Sequence, residues 1–251
     1  SDDVLNLKEL PKSVLIVGSG AIGTEWARIY NSFGSEVTVV EMAEHLIPPA
    51  DIEVSKRVER IYKQKGIKFY LNDSIEKLED KTVYLKSGVI LTPEIILVAA
   101  GRTPVMCPNC DNAKVLGDSC GEIQLAHYAI HQAKEYTLNI PFEKNLTPSV
   151  IYGQPEIAWV GLREQDVDES YSISKLPITA LGKSWCDDAT DGFIKIITKD
   201  NLIYGAHIIS KEASSLIHIL LIAIQNKIPL SEIKKICFAH PTYAEGIFEL
   251  I

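Results

Sequence analysis

The stretch from Val14 to Glu41 constrains the fold of this chain more than any other. Val14–Val17 is an apolar run typical of a buried strand, and a glycine turn and an amphipathic helix pattern follow it. A second apolar run, Val37–Val40, is closed by the acid Glu41. A strand, a glycine turn, a helix and a strand in this order predict a dinucleotide-binding βαβ unit.

The turn has the sequence GSGAIG, residues 18–23. We expect Gly18 to allow the tight turn out of the strand, Gly20 to let a pyrophosphate approach the backbone, and Gly23 to let the helix pack closely on the sheet. The first helical amides, at Ala21 and Ile22, would then face the phosphates. The alternative is a glycine-rich turn that binds no ligand.

Glu41 lies 18 residues after Gly23, at the predicted carboxyl end of the second strand. A carboxylate at this place accepts hydrogen bonds from the 2′-hydroxyl of an adenosine ribose. A 2′-phosphate would be repelled there, so the sequence predicts NAD rather than NADP as the cofactor.

Composition excludes several classes of protein. The net charge of -8 argues against a nucleic-acid-binding surface. No apolar run reaches the roughly 18 residues of a membrane span, and the N-terminal sequence SDDVLNLKEL lacks the pattern of a signal peptide. Five cysteines, an odd number, argue against a secreted disulfide scaffold. We therefore predict a soluble cytoplasmic protein with reduced thiols, no nucleic-acid partner and no membrane partner.

The order of the apolar patterns predicts two kinds of architecture. Strands alternate with helices up to Gly101, which indicates an α/β Rossmann-like sheet with an antiparallel appendage after residue 71. The segment AKVLGD, residues 113–118, is predicted to form a short buried strand, and residues 122–136 a helix. From Thr147 onward, turn-separated strands and a strongly apolar helix over residues 213–227 predict an α+β domain.

Several motifs then match a known family. The sequences GSGAIGTE, VTVVE, AAGRTP, LGD, PSVIYGQPEIAWVG and AHPTYAE occur in this order. Together they resemble the pyridine nucleotide-disulphide oxidoreductases, most closely the branch that oxidises dihydrolipoamide. The resemblance implies an NAD-binding domain at 1–104, a remnant of the FAD and central domains at 105–146, and an α+β dimerisation domain at 147–251.

The activity implied by the resemblance is electron transfer from dihydrolipoamide to an enzyme disulphide, then to FAD and finally to NAD. The implied partners are a second copy of the chain, in a homodimer, and the dihydrolipoyl domain of a 2-oxoacid dehydrogenase or related complex. However, no FAD glycine fingerprint and no C-x-x-x-x-C pair stand ahead of residue 11. We therefore expect a fragment that does not complete the reaction alone, or an inactive module that binds NAD and dimerises.

The resemblance assigns roles to further residues, each with a plainer alternative. Glu25 falls where the family has an acid near the nicotinamide, but it also suits a helix surface. Gly101 and Arg102 match the segment that closes the nucleotide site. The alternative is that Gly101 only ends a strand and Arg102 is a solvated surface residue. Asp118 matches the aspartate that binds the flavin ribityl chain, and an ordinary turn aspartate is the alternative.

His240 and Glu245 match the catalytic pair of the family. A histidine can accept a proton from a thiol and return it, and a carboxylate on its other nitrogen fixes the tautomer. In the family this histidine serves the disulphide of the other subunit, so its use would require a dimer. The sequence from Thr242 to Glu245 is also a capping box that would open the last helix. Both interpretations are compatible.

Two further patterns lead to weaker predictions. Cys107 and Cys110 form a C-x-x-C, which could be a redox pair, half of a zinc site or an incidental loop. No second C-x-x-C completes a zinc site. His127 and His131 are four residues apart on a predicted helix without an acid of a metalloprotease pattern beside them. The sequence therefore predicts no metal site.

Overall fold

A computed structural model describes residues 3–105 and 113–251. The described residues up to Ala100 form one compact unit together with those from Pro148 to Ile251, and the described residues between 101 and 147 form a second. Cys107 and Cys110 lie outside the described residues. The three domain boundaries expected from the sequence stay a prediction.

The strands follow the apolar runs of the sequence closely. They are β1 (Ser13–Val17), β2 (Glu36–Val40), β3 (Lys68–Tyr70), β4 (Ile75–Glu79), β5 (Thr82–Leu85), β6 (Ile90–Leu91), β7 (Ile95–Val98), β8 (Ser149–Ile151), β9 (Glu156–Gly161), β10 (Ser172–Pro177), β11 (Phe193–Lys199) and β12 (Leu202–Ser210).

The α-helices of the described residues are α1 (Ala21–Ser32), α2 (Ile52–Gln64), α3 (Ala126–Leu138), α4 (Gly182–Cys186), α5 (Ala213–Gln225), α6 (Leu230–Ile233) and α7 (Glu245–Glu249). Short 3-10 helices span Asp3–Asn6, Gly117–Cys120, Lys144–Leu146, Glu164–Asp166 and Ile178–Ala180. No helix in these described ranges is long and apolar enough to cross a membrane.

A parallel sheet with the order β3-β2-β1-β7 carries the glycine turn. Its central strand β1 is buried at Val14, Leu15 and Ile16 because these side chains pack on both faces of the sheet. The carboxyl ends of β1, β2 and β7 meet at one edge, which is where such sheets bind their ligands. This confirms the predicted Rossmann-like arrangement. The predicted antiparallel appendage is also present, as the sheet β4-β5-β6.

The chain after residue 148 forms a five-stranded antiparallel sheet with the order β10-β11-β12-β9-β8. Asp200 and Asn201 connect β11 to β12 with φ angles of 48° and 64°, which is the conformation of a tight hairpin turn. The apolar helix α5 packs on β9 and β12, and α2 of the first half also contacts β12. The α+β prediction for this part is confirmed.

The second unit corrects one prediction. Residues 113–118 form no strand, and Asp118 lies in the 3-10 helix Gly117–Cys120. The apolar run there contains only Val115 and Leu116, and Gly117 adopts a φ of 67°, which does not continue a strand. Gly117 instead donates its N–H to the side chain of Gln132 on α3 at 2.7 Å.

Candidate functional site: the glycine turn and the histidine loop

The three glycines of the turn differ in what the fold requires of them. Gly18 has a φ of 97°, and a Cβ there would lie 2.7 Å from the carbonyl oxygen of Ala99. A Cβ on Gly23 would lie 2.0 Å from the carbonyl oxygen of Gly18. By contrast, a Cβ on Gly20 would meet nothing within 4 Å, and its φ of -64° suits any residue. The fold therefore requires Gly18 and Gly23, whereas Gly20 borders open space.

The start of α1 has the character of an anion site. Gly20 is the N-cap and offers no side chain to the helix amides. The first intrahelical bond runs from the N–H of Thr24 to the carbonyl of Gly20 at 2.9 Å, so the N–H groups of Ala21, Ile22 and Gly23 have no acceptor within the helix. Free amides at a helix start favour negative charge. Together with the open space at Gly20, these residues fit the diphosphate of a dinucleotide.

Glu41 is held at the end of β2 beside this turn. Its Oε2 accepts hydrogen bonds from the N–H and the hydroxyl of Ser19, both at 2.8 Å, and its Oε1 accepts one from the N–H of Ala43 at 2.9 Å. Burial acts to raise the pKa of Glu41, but the hydrogen bonds from Ala43, Ser19 and Met42 outweigh it and hold the pKa below its ordinary value. The carboxylate is therefore ionised at neutral pH and repels a phosphate.

Glu25 makes a contact that the sequence did not indicate. Its Oε1 accepts a hydrogen bond from the N–H of Tyr152 at 2.9 Å, at the end of β8. One helical turn later, Arg28 donates to the carbonyl of Gln154 at 2.9 Å. These two bonds fasten α1 to the chain that connects β8 and β9, which goes beyond a helix-surface role for Glu25. Its placement near a nicotinamide stays a prediction.

Gly101, Arg102 and Asp118, which the resemblance also assigns to the cofactor sites, lie in the second unit. Gly101 has a φ of 113°, which favours glycine, and Arg102 is exposed. Asp118 is exposed in the first turn of its 3-10 helix, and its carbonyl accepts the N–H of Gly121 at 3.2 Å. Their proposed contacts with nucleotide or flavin stay predictions.

The structure brings His240 and Glu245 together. The Nδ1 atom of His240 lies 2.7 Å from Oε1 of Glu245, and the N–H of Thr242 donates to Oε2 at 2.7 Å. The hydrogen bond from the N–H of Thr242 has the largest effect on the pKa of Glu245, followed by that from His240. Together they hold this pKa below its ordinary value. Because a carboxylate only accepts hydrogen bonds, the neutral imidazole would carry its proton on Nδ1 and leave a lone pair on Nε2. The imidazole is 76% exposed, so that lone pair is accessible.

The capping-box prediction is half correct. The carboxylate of Glu245 accepts the N–H of Thr242, as the motif requires. The hydroxyl of Thr242 donates to the carbonyl of Ala239 at 2.7 Å, and the helix has no side-chain cap. α7 begins at Glu245 with Ala244 as its N-cap. The motif therefore fixes the acid of the pair rather than the helix start.

A buried ion pair was missed by the sequence reasoning. Lys195 on β11 and Asp51 before α2 are both completely buried, and Nζ of Lys195 lies 2.8 Å from Oδ1 of Asp51. Asp51 is also the N-cap of α2, since it accepts the N–H of Glu53 at 2.9 Å. The sequence did contain a sign of this pair, because Lys195 stands in the middle of the apolar run FIKII. A lysine buried in such a strand needs a buried partner of opposite charge.

Comparison with known proteins identifies the lineage. Residues 1–132 match the sequence profile of the pyridine nucleotide-disulphide oxidoreductases, and residues 147–251 match the dimerisation domain of the same proteins. The chain belongs to the pyridine nucleotide-disulphide oxidoreductase family. The fold and the resemblance inferred from the motifs are thereby confirmed.

Individual relatives support this placement in the family. The chain is 33% identical to the dihydrolipoyl dehydrogenase of Chlamydia muridarum, over 98% of this chain and 61% of that protein. It is 31% identical to the leghemoglobin reductase of Glycine max, over 99% of this chain and 56% of that protein. The structure also resembles the HOCl-induced flavoprotein disulfide reductase RclA of Escherichia coli, with a TM-score of 0.87 and 23% identity, covering 98% of this chain and 66% of that one. The chain thus spans about three fifths of the length of its curated relatives.

The glycines of this family member allow a matched test. We expect Gly20→Ala to leave the free energy of unfolding within about 1 kcal/mol of the wild type, the usual scale of an N-cap change. Its Cβ would enter the space assigned to the diphosphate, so the Kd for NAD should rise by roughly tenfold or more. Gly23→Ala should instead destabilise the fold by about 3 kcal/mol, because its Cβ overlaps backbone.

Chemical denaturation and NAD titration of both variants measure these effects. Equal losses of stability in the two variants would contradict the separation of the glycines into fold and ligand roles.

Proposed function

We propose that this chain is the part of a dihydrolipoyl dehydrogenase that binds NAD and forms the dimer. The observation that carries the proposal is the pair of His240 and Glu245, joined at 2.7 Å with the outer nitrogen of the histidine exposed. The names of the relatives from Chlamydia muridarum and Bacillus subtilis support the same activity. The whole protein would oxidise dihydrolipoamide and reduce NAD.

The chemistry of the pair suits a dithiol substrate. Nε2 of His240 would accept the proton of a thiol, and the ionised carboxylate of Glu245 would stabilise the imidazolium that forms. The N–H of Thr242 keeps that carboxylate in place through its second oxygen. His240 would later return the proton, so the pair acts as general base and then as general acid.

The nucleotide site would hold NAD at the glycine turn and Glu41. The amides of Ala21, Ile22 and Gly23 would bind the diphosphate, and Glu41 would accept the ribose hydroxyls. NAD, when bound, supplies a nicotinamide that accepts a hydride. Glu25 and the pair Gly101 and Arg102 are proposed to border this site, as the family resemblance implies.

The residues assigned to FAD do not make a flavin site. Asp118 is the one residue carried over from the family for this cofactor, and it is an exposed side chain on a short 3-10 helix. A single exposed carboxylate neither encloses a flavin nor sets its chemistry. We therefore derive no step through FAD from this chain.

A homodimer is part of the proposal. Residues 147–251 match the dimerisation domain of the family, and α5 within them exposes Ile219 and Ile222. We expect sedimentation at micromolar concentration to show a dimer, and Ile222→Glu to shift it toward a monomer, because a charge in an apolar interface is costly. Leu78→Glu, on β4, provides an exposed apolar control that should keep the dimer. A monomeric wild type would contradict this part of the proposal.

The alternative is an inactive module that binds NAD and dimerises. Its support is that the residue assigned to the flavin, Asp118, is an exposed side chain that encloses no cofactor. An assay of dihydrolipoamide-dependent NADH formation, together with the flavin absorbance band, separates the two. Turnover supports the dehydrogenase, whereas NAD binding without a flavin band or turnover supports the module. Association with the dihydrolipoyl domain of a 2-oxoacid dehydrogenase complex and a cytoplasmic location stay predictions, testable by pull-down with that domain and by cell fractionation.

A further inference from the structure

Ser19, between the first two glycines of the turn, has a side chain to which the glycine fingerprint assigns no role. It is buried, with 1% of its surface exposed. Its hydroxyl donates to Oε2 of Glu41, and its N–H donates to the same oxygen, both at 2.8 Å. The hydroxyl also accepts a hydrogen bond from the N–H of Ile47 at 3.2 Å. The side chain of Ser19 therefore connects the glycine turn to Glu41 and to the loop after β2.

The loop that Ser19 holds is unusual at Ile47. Ile47 has a φ of 54°, an uncommon value for a β-branched residue, and its side chain is buried. Such a backbone persists only when its surroundings hold it in place. Both the carbonyl and the hydroxyl of Ser19 accept the N–H of Ile47, at 3.2 Å each. Ser19 thus fixes the loop from which Ala43 donates to Glu41.

The two oxygens of Glu41 are used unequally. Oε2 receives both hydrogen bonds from Ser19, while Oε1 receives the one from Ala43 at 2.9 Å. A carboxylate oxygen offers about two acceptor positions. The two bonds from Ser19 fill the acceptor positions of Oε2, so a ribose hydroxyl would approach Oε1, and Ser19 decides which oxygen that is; the N–H groups of Ala43 and Met42 also interact with this carboxylate.

We propose that Ser19 is a positioning residue for nucleotide binding, which orients the carboxylate of Glu41 so that Oε1 is presented to the adenosine ribose. This inference rests on the proposed NAD site. Ser19 itself would not touch the cofactor through its hydroxyl, since that group is already engaged with Glu41 and Ile47. Its effect on affinity would pass through Glu41 alone.

The electrostatics give the proposal a distinctive pH signature. The lowered pKa of Glu41 means that its ribose bonds persist above that pKa and are lost as the pH falls through it. Removing the Ser19 hydroxyl should raise this pKa, because burial then meets less opposition. Among the described residues, Asp73, whose N–H donates to the carbonyl of Glu41 at 3.0 Å, accepts from Ser74 at 2.8 Å and from Ser87, and His45, four residues after Glu41, lies 3.2 Å from Glu59 and 3.9 Å from Glu44.

The test compares Ser19→Ala with Thr24→Val. Thr24 also places a buried hydroxyl on this turn, but it donates to the carbonyl of Ser19 at 3.0 Å and does not reach Glu41. We expect Ser19→Ala to raise the Kd for NAD about fivefold at neutral pH, the scale of one hydrogen bond. Affinity should also be lost at a higher pH than in the wild type. Thr24→Val should leave the titration of Glu41 unchanged.

Two measurements separate positioning from general destabilisation. Carbon-13 NMR of the Glu41 carboxyl in the ligand-free protein reports its pKa directly, and we expect an upward shift only in Ser19→Ala. In a Glu41→Gln background, Ser19→Ala should cause little further loss of NAD affinity, because the two changes act through one contact. An unchanged pKa of Glu41, or a full additional loss in that background, would overturn the inference while leaving the NAD site standing. A wild type that does not bind NAD would overturn both.

Discussion

On the proposed function, we expect His240→Gln, made in the whole protein that contains this chain, to lower dihydrolipoamide-dependent NADH formation by about 10²- to 10⁴-fold, the usual contribution of a general acid-base group. Glutamine retains a polar side chain but cannot accept and return the proton of a thiol at neutral pH. The geometry makes the loss specific to chemistry, since His240 is 76% exposed and its bond to Glu245 lies on the surface. Steady-state kinetics with dihydrolipoamide as the varied substrate measure the effect.

His131→Gln is the matched control for this variant. His131 is an exposed histidine on α3 that packs against Phe142, with ring centres 5.4 Å apart, and we assign it no role in the reaction. Its activity should stay within twofold of the wild type. Should His240→Gln retain wild-type kcat in an active protein, the assignment of the histidine as the proton acceptor would be wrong.

Lys195→Met should produce the largest loss of stability. The change keeps the length of the side chain but leaves the buried carboxylate of Asp51 without its partner at 2.8 Å. Removing one member of a buried ion pair typically costs about 3–5 kcal/mol, because the remaining charge stays out of water and has lost its bonded counter-ion. Urea denaturation followed by circular dichroism gives the free energy of unfolding directly.

Lys175→Met is the exposed counterpart. Lys175 contacts Glu53 at 2.5 Å, but its side chain is 45% exposed, so the loss should stay within about 1 kcal/mol. The double variant Lys195→Met with Asp51→Asn should recover part of the stability, since asparagine removes the buried charge and still caps α2. No recovery in the double variant would mean that packing, rather than the unpaired charge, dominates the cost.

The buried pair of Lys195 and Asp51 also predicts how the stability difference between wild type and Lys195→Met varies with pH. Burial acts to raise the pKa of Asp51, but His207 and Lys195 hold it below its ordinary value. Burial acts to lower the pKa of Lys195, but its bonds to Asp51 and Glu164 raise it. The contribution is therefore lost as the pH falls through the lowered pKa of Asp51, and again as it rises through the raised pKa of Lys195. The difference between wild type and Lys195→Met should be greatest near neutral pH.

Most strands and helices of this fold could be predicted from the sequence, because each depends on residues that lie close together along the chain. The glycine turn, its flanking strands and the hairpin at Asp200 follow from residue spacing and backbone preference. The strand expected over residues 113–118 failed because two apolar residues are too few to overcome a left-handed Gly117.

The sequence predicted which residues form the candidate site, but not the hydrogen bonds between them. The sequence motifs indicated both His240 and Glu245, yet the link from Thr242 to the carboxylate depends on the fold of the loop. Ser19 and the pair of Lys195 and Asp51 were missed because their partners are distant in sequence. Periodicity carries no information about which buried charges meet across a core.

The partner of Asp51 has a consequence for the order in which the protein is made. Lys195 follows Asp51 by 144 residues. The carboxylate that caps α2 therefore gains its ion-pair partner only when a much later residue has been synthesised. Among the described residues, the cationic contacts of Asp51 are Lys195 and His207, both in the second half of the chain. Domains commonly fold in sequence during synthesis. Here we expect the first half of the chain to reach its final stability only after most of the chain has emerged.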